Sequence, residues 1–203
     1  MHGRALACAT GIKLGRPRLN VIVHMGDGDA LAIGGNHFIH AARRNIDITA
    51  NVMNNRINGM TGGQYSPLSG SGVKATTAPY NTIDNEFDVV QLAIAAGASF
   101  VARSTAYHVK ESIDVLKKAI QHKGFSLVEI LSQCPTHYGR KNKEGDAVSM
   151  LELQKANTAK IGSKALEKNP ELMPRGIFVD VQKPEYCEEY DKIIAFAMKE
   201  KVS

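Results

Sequence analysis

The sequence predicts an α/β protein whose mainly parallel sheet is covered by helices on both faces. Short apolar runs, such as residues 21–23 and 46–53, alternate with longer stretches of helical periodicity along the chain of 203 residues. This alternation is typical of βαβ units, whose buried strands are nearly continuous apolar runs. Turn-forming residues follow two of these runs, Gly26-Asp27-Gly28 shortly after the first and Asn54-Asn55 directly after the second, as expected where such strands end.

Each predicted element has a local reason in the sequence. Helices are expected where apolar residues recur at helical spacing, as Ile113, Leu116 and Ile120 do, and strands where short apolar runs are bounded by turn residues. The expected helices are residues 3–14, 27–44, 85–96, 110–122, 147–166 with a break near Gly162, and 188–200. The expected strands are residues 20–24, 48–53, 99–102, 125–131 and 176–181.

Length and composition limit the class of protein. With 43% hydrophobic and 22% charged residues, the chain is typical of a globular protein, and no apolar run reaches the length of a membrane span. We expect an α/β domain over residues 1–145, and a helical and extended segment over 146–203 that packs on it or on a partner subunit. The residues after Met1 do not resemble a signal peptide, so a cytoplasmic location without membrane attachment is expected.

Charge and cysteine content exclude other classes. The net charge of +5 is mild and no long Lys/Arg run occurs, so a solvated surface is expected and no nucleic-acid partner. The three cysteines, Cys8, Cys134 and Cys187, are widely spaced and form no CxxC pair. This pattern argues against a disulfide framework, a self-sufficient zinc site and the four thiolates of an iron–sulfur cluster.

Oxygen ligands are predicted at one edge of the sheet, because ligands of open α/β sheets bind at the carboxyl ends of the strands. Asp27 is flanked by glycines that let backbone N–H groups approach a phosphate. A diphosphate beside Asp27 requires a cation, and Mg²⁺ prefers one or two carboxylates with other oxygens. The Asn55 side chain and the main-chain carbonyl of Ile57 complete such a set, so the sequence predicts a magnesium–diphosphate site.

Other interpretations of the GDGD segment are weaker. Leu31 stands where an EF-hand needs an acid or amide and where a dinucleotide-binding loop needs a glycine. A P-loop needs Gly-Lys-Ser/Thr, which follows no predicted strand. A structural alternative stays open, in which the segment is a tight strand-to-helix turn with a capping Asp.

The longest irregular segment, residues 59–82, is rich in glycine and begins just after the asparagine pair. Such a segment is usually a binding loop, a lid or a disordered region. We favour a lid, because the segment starts beside the predicted ligand site.

Several longer motifs resemble one family. GDG with a spaced NN is the thiamine diphosphate motif. The segments HGRALACATGIKL, GDGDALAIGGNHFIHAARRNIDIT, NNRINGMTGGQYSP, KATTAPY and GFSLVEILSQCPTHYGRKN occur in this order. Together they resemble the beta subunit of 2-oxoacid:ferredoxin oxidoreductases, most closely the 2-oxoglutarate type. The resemblance extends through RGIFVDVQKPEYCEEY and covers nearly the whole chain.

The resemblance implies roles for individual residues. Asp27 and Asn55 would bind Mg²⁺ through their side chains and Ile57 through its carbonyl. Cys134, in SQCPT, matches a cysteine that binds the family's 4Fe–4S cluster. The remaining residues implied to lie around thiamine diphosphate are His2 and Gly3 of the HGR element, Gly26, Gly28 and Asp29 at the diphosphate, and Gly59, Met60 and Thr61 over the thiazolium and substrate.

The activity implied is oxidative decarboxylation of a 2-oxoacid, 2-oxoglutarate in particular, with coenzyme A as acceptor and ferredoxin as electron carrier. In the family the alpha subunit supplies the Glu that activates the aminopyrimidine and the pyrimidine-binding domain. We therefore expect a hetero-oligomer with an alpha subunit, no catalytic side chain in this chain, and no activity of the isolated chain. Two alternatives are a truncated, non-catalytic module that binds the cofactor or partner, and a non-oxidative decarboxylase.

Four departures from the family pattern stand out. A segment with three further cluster cysteines precedes the HGR element in the family, so with Cys134 alone we expect no 4Fe–4S cluster. Asn58 stands where relatives often have Tyr, and Gly62 where some carry a Lys thought to contact the substrate. Asn51 is an unexpected amide in a strand that is usually apolar at that position.

Overall fold

A six-stranded sheet forms the centre of the molecule, and the computed structural model describes residues 2–200. The strands are β1 Val21–Gly26, β2 Ile48–Asn54, β3 Phe100–Thr105, β4 Ser126–Leu131, β5 Thr158–Lys160 and β6 Met173–Asp180. The helices are α1 Ala5–Gly15, α2 Gly35–Arg44, α3 Val89–Ala95, α4 Val109–Gln121, α5 Arg140–Asn142, α6 Ala147–Ala156, α7 Lys164–Lys168 and α8 Tyr186–Glu200.

The sheet has the order β1-β2-β4-β3-β6-β5, and the predicted α/β class is confirmed. β1, β2, β4 and β3 are parallel neighbours, whereas β6 is antiparallel to β3. In the register of β1 and β2, Gly26 lies beside Met53, so the two turns that follow these strands emerge at the same edge.

Helices cover both faces of the sheet, and the strands supply alternate side chains to two cores. Val101 belongs to the larger core, which also contains residues of α1, α2 and α3, whereas its neighbours Phe100 and Ala102 belong to a second core with Val115 and Ala119 of α4. This alternation follows from the two-residue period of a strand. It explains why the strands of the sheet centre were predicted from apolar runs.

Three helix predictions need correction. The helix expected at 85–96 begins only at Val89, because the Asp88 carboxylate accepts the N–H of Val90 at 2.9 Å and caps the helix there. The helix expected from 27 to 44 is divided into a π-helical turn, Asp29–Ile33, and α2. A Cβ at Gly34 would lie 2.2 Å from the Asp29 carbonyl oxygen, so the wide turn depends on a glycine there.

The third correction concerns residues 147–166, which were expected to be helical. Helix α6 ends at Ala156, and residues 158–160 form β5 beside β6. The Thr158 hydroxyl donates to the Gln154 carbonyl at 2.7 Å, a side-chain bond that competes with helix continuation. β5 and β6 therefore extend the same sheet, and the domain division at residue 145 stays a prediction.

Asn51, the unexpected amide in β2, is buried. Its Nδ2 lies 2.9 Å from His24 Nδ1 on the neighbouring strand. Its Oδ1 has no hydrogen-bond partner among residues 2–200.

None of the helices within residues 2–200 combines the length and the apolar character that crossing a bilayer requires.

A polar cluster ties the strands together at the sheet edge opposite the two turns. Asn45, in the left-handed conformation with φ 51°, accepts hydrogen bonds from the Ser99 hydroxyl at 2.6 Å and the Phe125 N–H at 2.9 Å. His122 Nε2 lies 2.8 Å from the same Ser99 oxygen, and the ring is 7% exposed. Burial lowers the pKa of His122, although Asp180 and Asp47 act to raise it.

We predict that His122→Gln changes the pH dependence of stability. The pKa of His122 is lowered in the folded state by burial, whereas the unfolded chain protonates it near the ordinary pKa of about 6.5. Below that pH the unfolded state binds more protons, so the wild type should lose stability relative to the Gln variant as pH falls from about 7.5 to about 5.5. Urea unfolding of both proteins across this range measures the difference, and a difference independent of pH would contradict the assignment.

Candidate cofactor site

Asp27 is the centre of the site at the carboxyl ends of β1 and β2. Its side chain follows β1 directly and the residue is 2% exposed. The Ser66 hydroxyl donates to Asp27 Oδ2 at 2.5 Å, and the backbone N–H groups of Gly28 and Ile57 also contact the carboxylate. The carboxylate thus joins the turn after β1 to the turn after β2.

Burial dominates the electrostatics of Asp27. Desolvation raises the pKa of its carboxyl to about 6, although the hydrogen bonds from Ser66 and from the N–H groups of Gly28 and Ile57 act to lower it. A carboxylate whose charged form is disfavoured in this way is stabilised by any cation placed beside it. The buried Asp27 carboxylate is therefore better suited to bind a cation than to cap a helix, because a capping side chain normally faces solvent.

The second turn is shaped by two asparagines in succession. Asn54 Oδ1 accepts the Arg56 N–H at 3.0 Å, and Asn55 Oδ1 accepts the Ile57 N–H at 3.1 Å. Between them Arg56 has φ 61°, which a residue with a side chain rarely adopts. These bonds fix the Asn55 side chain against the backbone of the turn, and the Ile57 N–H also contacts the Asp27 carboxylate.

The Asn58 side chain lies close to Gly28, the second glycine of GDG. A Cβ at this position would lie 1.9 Å from Asn58 Oδ1, so any larger residue would have to displace the Asn58 side chain. The Asn58 side chain also donates to the Tyr65 carbonyl at 3.1 Å. The Asn58 amide therefore packs directly on the GDG turn.

The HGR element is tied to the same turn. The Gly3 N–H donates to Asp29 Oδ1, and His2 Nδ1 lies 2.9 Å from that oxygen. Gly3 has φ 71°, and a Cβ there would lie 2.3 Å from the Ile33 side chain. The family resemblance implies that His2, Gly3 and Asp29 lie around one cofactor, and the structure brings these three residues together.

Two buried serines of the lid connect the turns, and the sequence analysis missed both. Ser66 binds Asp27 through its hydroxyl and donates its N–H to Ser69 Oγ at 2.7 Å. Ser69 Oγ in turn donates to the Arg56 carbonyl at 2.6 Å. The two serines are 3% and 2% exposed, so this part of segment 59–82 is packed against the site. Serines in a glycine-rich loop carry no periodicity that signals burial.

Other predicted site residues lie farther from these contacts. Met60 is 100% exposed, the Thr61 hydroxyl bonds to Gln64 Oε1 at 2.5 Å, and a Cβ at Gly26 would meet nothing within 4 Å. A Cβ at Gly59 would lie 3.4 Å from Cys134 Sγ and 3.7 Å from Asn55 Nδ2. Cys134 therefore reaches the start of the lid, and the roles proposed for these residues stay predictions.

The donor set is compatible with Mg²⁺, which takes one or two carboxylates together with neutral oxygens and phosphate. Asp27 would supply a buried carboxylate, Asn55 a side-chain oxygen and Ile57 a main-chain carbonyl. Within residues 2–200 there is no group of three or more His, Cys, Asp and Glu side chains that would hold a metal. A magnesium site with a single carboxylate does not need such a group, because a bound diphosphate would supply the other charged oxygens.

We predict that Asp27→Asn stabilises the protein when divalent cations are removed. A pKa of about 6 in place of 3.8 corresponds to a cost of up to about 3 kcal/mol at neutral pH. The stabilising contribution of a raised pKa is present at low pH and lost as pH rises through the folded-state value. The advantage of the Asn variant should therefore grow between about pH 4 and about pH 7, as measured by chemical unfolding in EDTA.

The matched control is Asp114→Asn, which changes an exposed carboxylate on α4. It should leave stability nearly unchanged over the same pH range. An Asp27→Asn variant less stable than the wild type at neutral pH would show that the carboxylate is a structural cap.

Comparison with known proteins places the chain in a family. Residues 1–130 match the family described as thiamine pyrophosphate enzyme, C-terminal TPP binding domain. The chain is 50% identical over 196 residues to the 2-oxoglutarate synthase subunit KorB of Methanocaldococcus jannaschii, covering 95% of this chain and 73% of that protein. It is 49% identical over 200 residues to the protein of the same name from Archaeoglobus fulgidus, covering 98% and 72%.

A solved structure agrees with these relatives. The 2-oxoglutarate:ferredoxin oxidoreductase from Magnetococcus marinus, with 2-oxoglutarate, coenzyme A and succinyl-CoA bound, superposes with a TM-score of 0.84 at 33% identity. The match covers 95% of this chain and 67% of the other. The resemblance stated from the sequence motifs is thus confirmed, and the chain belongs to the beta subunits of the 2-oxoacid:ferredoxin oxidoreductase family, a family of oxidoreductases.

Proposed function

We propose that this chain binds thiamine diphosphate through Mg²⁺ and serves as the cofactor-binding beta subunit of a 2-oxoglutarate:ferredoxin oxidoreductase. The observation that carries the proposal is the desolvated Asp27 carboxylate, joined by hydrogen bonds to both the Gly28 and the Ile57 backbone. A buried acid at the carboxyl ends of parallel strands, between the turns that follow β1 and β2, suits a cation that holds a diphosphate.

The residues of the chain bind and orient the cofactor in this proposal. Asp27, Asn55 and the Ile57 carbonyl hold Mg²⁺, and the turn at Gly28 brings N–H groups close to the diphosphate. Thiamine diphosphate, when bound, supplies the nucleophilic carbon and the electron sink for decarboxylation of a 2-oxoacid. The Ser66 hydroxyl fixes the Oδ2 oxygen of the Asp27 carboxylate.

The remaining parts of the reaction are assigned to partners. Relatives named as subunits of a ferredoxin oxidoreductase support an alpha subunit and ferredoxin as partners, and the ligands of the Magnetococcus marinus enzyme support 2-oxoglutarate and coenzyme A as substrates. Cys134 serves as a ligand of a 4Fe–4S cluster only together with three further cysteines. Cys187 is unsuited to this role, because burial raises the pKa of its thiol to about 11.

We predict that Asp27→Ala abolishes Mg²⁺-dependent binding of thiamine diphosphate and leaves the fold intact, because the side chain faces the site and not the core. Asn55→Ala should weaken binding by a smaller factor, since it removes one neutral ligand. Isothermal titration with thiamine diphosphate in the presence and absence of Mg²⁺ measures both effects. Asp114→Ala, on the far side of α4, is the control and should bind like the wild type.

We also predict that activity requires the partner subunit. The isolated chain should neither consume 2-oxoglutarate nor reduce a viologen dye. The complex with the alpha subunit should do both in the presence of coenzyme A. Rapid decarboxylation by the purified chain alone would refute this division of roles.

A further inference from the structure

We propose that Glu129 and Arg103, in the interior of the sheet, are positioning residues for the magnesium site, acting through Asn54 on the shape of the turn after β2. The inference rests on the proposed function, since it assigns a purpose to residues that lie beneath that site. Neither side chain is expected to touch metal, cofactor or substrate.

A continuous chain of hydrogen bonds links these residues to the turn. Asp88, which caps α3, accepts from Arg103 Nη2 at 2.6 Å. Arg103 Nε donates to Glu129 Oε2 at 2.5 Å, and the other oxygen of Glu129 accepts from Asn54 Nδ2 at 2.8 Å. The last link is the bond from the Arg56 N–H to Asn54 Oδ1 at 3.0 Å.

The burial of this network is costly. Glu129 is 2% exposed and Arg103 4% exposed, and they face each other across β4 and β3 in the parallel part of the sheet. Removing two such charges from water costs several kcal/mol per ion before their attraction is counted. Replacement of a buried ion pair by apolar side chains of similar volume is often neutral or stabilising. Stability of the sheet is therefore a poor reason for an ion pair at this position.

The Asn54 amide is the point where the network acts on the site. It is 6% exposed and bonded at both ends, by Glu129 on one side and by the Arg56 N–H on the other. Arg56 has φ 61°, so the turn holds a conformation that needs external support. The directions of the Asn55 side chain and the Ile57 carbonyl follow from that conformation. Loss of Glu129 would release the Asn54 side chain and remove this support from the turn, which would loosen the positions of the Asn55 side chain and the Ile57 carbonyl.

The decisive experiment uses the double variant Arg103→Met with Glu129→Met, which keeps side-chain volume and removes both charges. We expect it to fold with an unfolding midpoint no lower than that of the wild type. Its dissociation constant for Mg²⁺ at saturating thiamine diphosphate should rise about ten-fold, the effect typical of residues that orient metal ligands. An unchanged constant would overturn the inference.

Two further variants separate positioning from general stability. Lys13→Met breaks another buried ion pair, with 2.6 Å between Lys13 Nζ and Asp47 Oδ2 at the far edge of the sheet, and should reduce stability without changing Mg²⁺ affinity. Asn54→Ala should weaken Mg²⁺ binding as the double variant does. Combining Asn54→Ala with the double variant should weaken binding no further, because the effects share one path. Fully additive losses would show that the ion pair does not act through Asn54.

Amide hydrogen exchange tests the inference without any ligand. In the double variant the Arg56 N–H should exchange faster, whereas the amides of residues 49–52 in β2 should keep their protection. Uniform loss of protection across β2 and the turn would indicate a structural role and refute positioning. If the wild type does not bind Mg²⁺ and thiamine diphosphate, the proposed function fails, and the exchange result still decides whether the network holds the turn.

Discussion

Desolvation of the Asp27 carboxylate is the constraint on which the rest of the site depends. The parallel register of β1 and β2 brings two turns to one edge, and the lid then covers the acid that stands between them. Ser66 and Ser69 fasten the lid to both turns, so the same bonds that order the loop also remove Asp27 from water. The result is a carboxylate whose charged form burial disfavours more than its hydrogen bonds favour it, and which a neighbouring cation would stabilise.

Apolar periodicity was enough to predict the α/β class, the centre of the sheet and the residues at its carboxyl edge. It failed where polar side chains decide local structure. The Asp88 side chain caps α3, so the helix begins only at Val89. The Thr158 hydroxyl donates to the Gln154 carbonyl where α6 ends and β5 begins. These are single hydrogen bonds, and they leave no repeating pattern in a sequence.

The candidate site likewise contains some residues that the sequence predicts and others that it does not. Asp27 and Asn55 were predicted because turn residues after apolar runs are conspicuous, and their grouping needed only the rule that parallel strands end at one edge. Ser66, Ser69 and the pair of Arg103 and Glu129 depend on tertiary contacts between segments far apart in the chain. Only the ion pair carried a usable signal, since a single charge interrupts each of two buried strands, FVARST and SLVEIL, with opposite sign.

The central claim is that Asp27, Asn55 and Ile57 form a cation site for a diphosphate. The most direct measurement is a crystal structure of the chain with Mn²⁺ and thiamine diphosphate, in which anomalous scattering locates the metal. We expect one peak at coordination distance from the Asp27 carboxylate, the Asn55 side-chain oxygen and the Ile57 carbonyl, with the diphosphate on its open side. Mn²⁺ bound elsewhere, with Asp27 still enclosed by Ser66 and backbone N–H groups alone, would contradict the account.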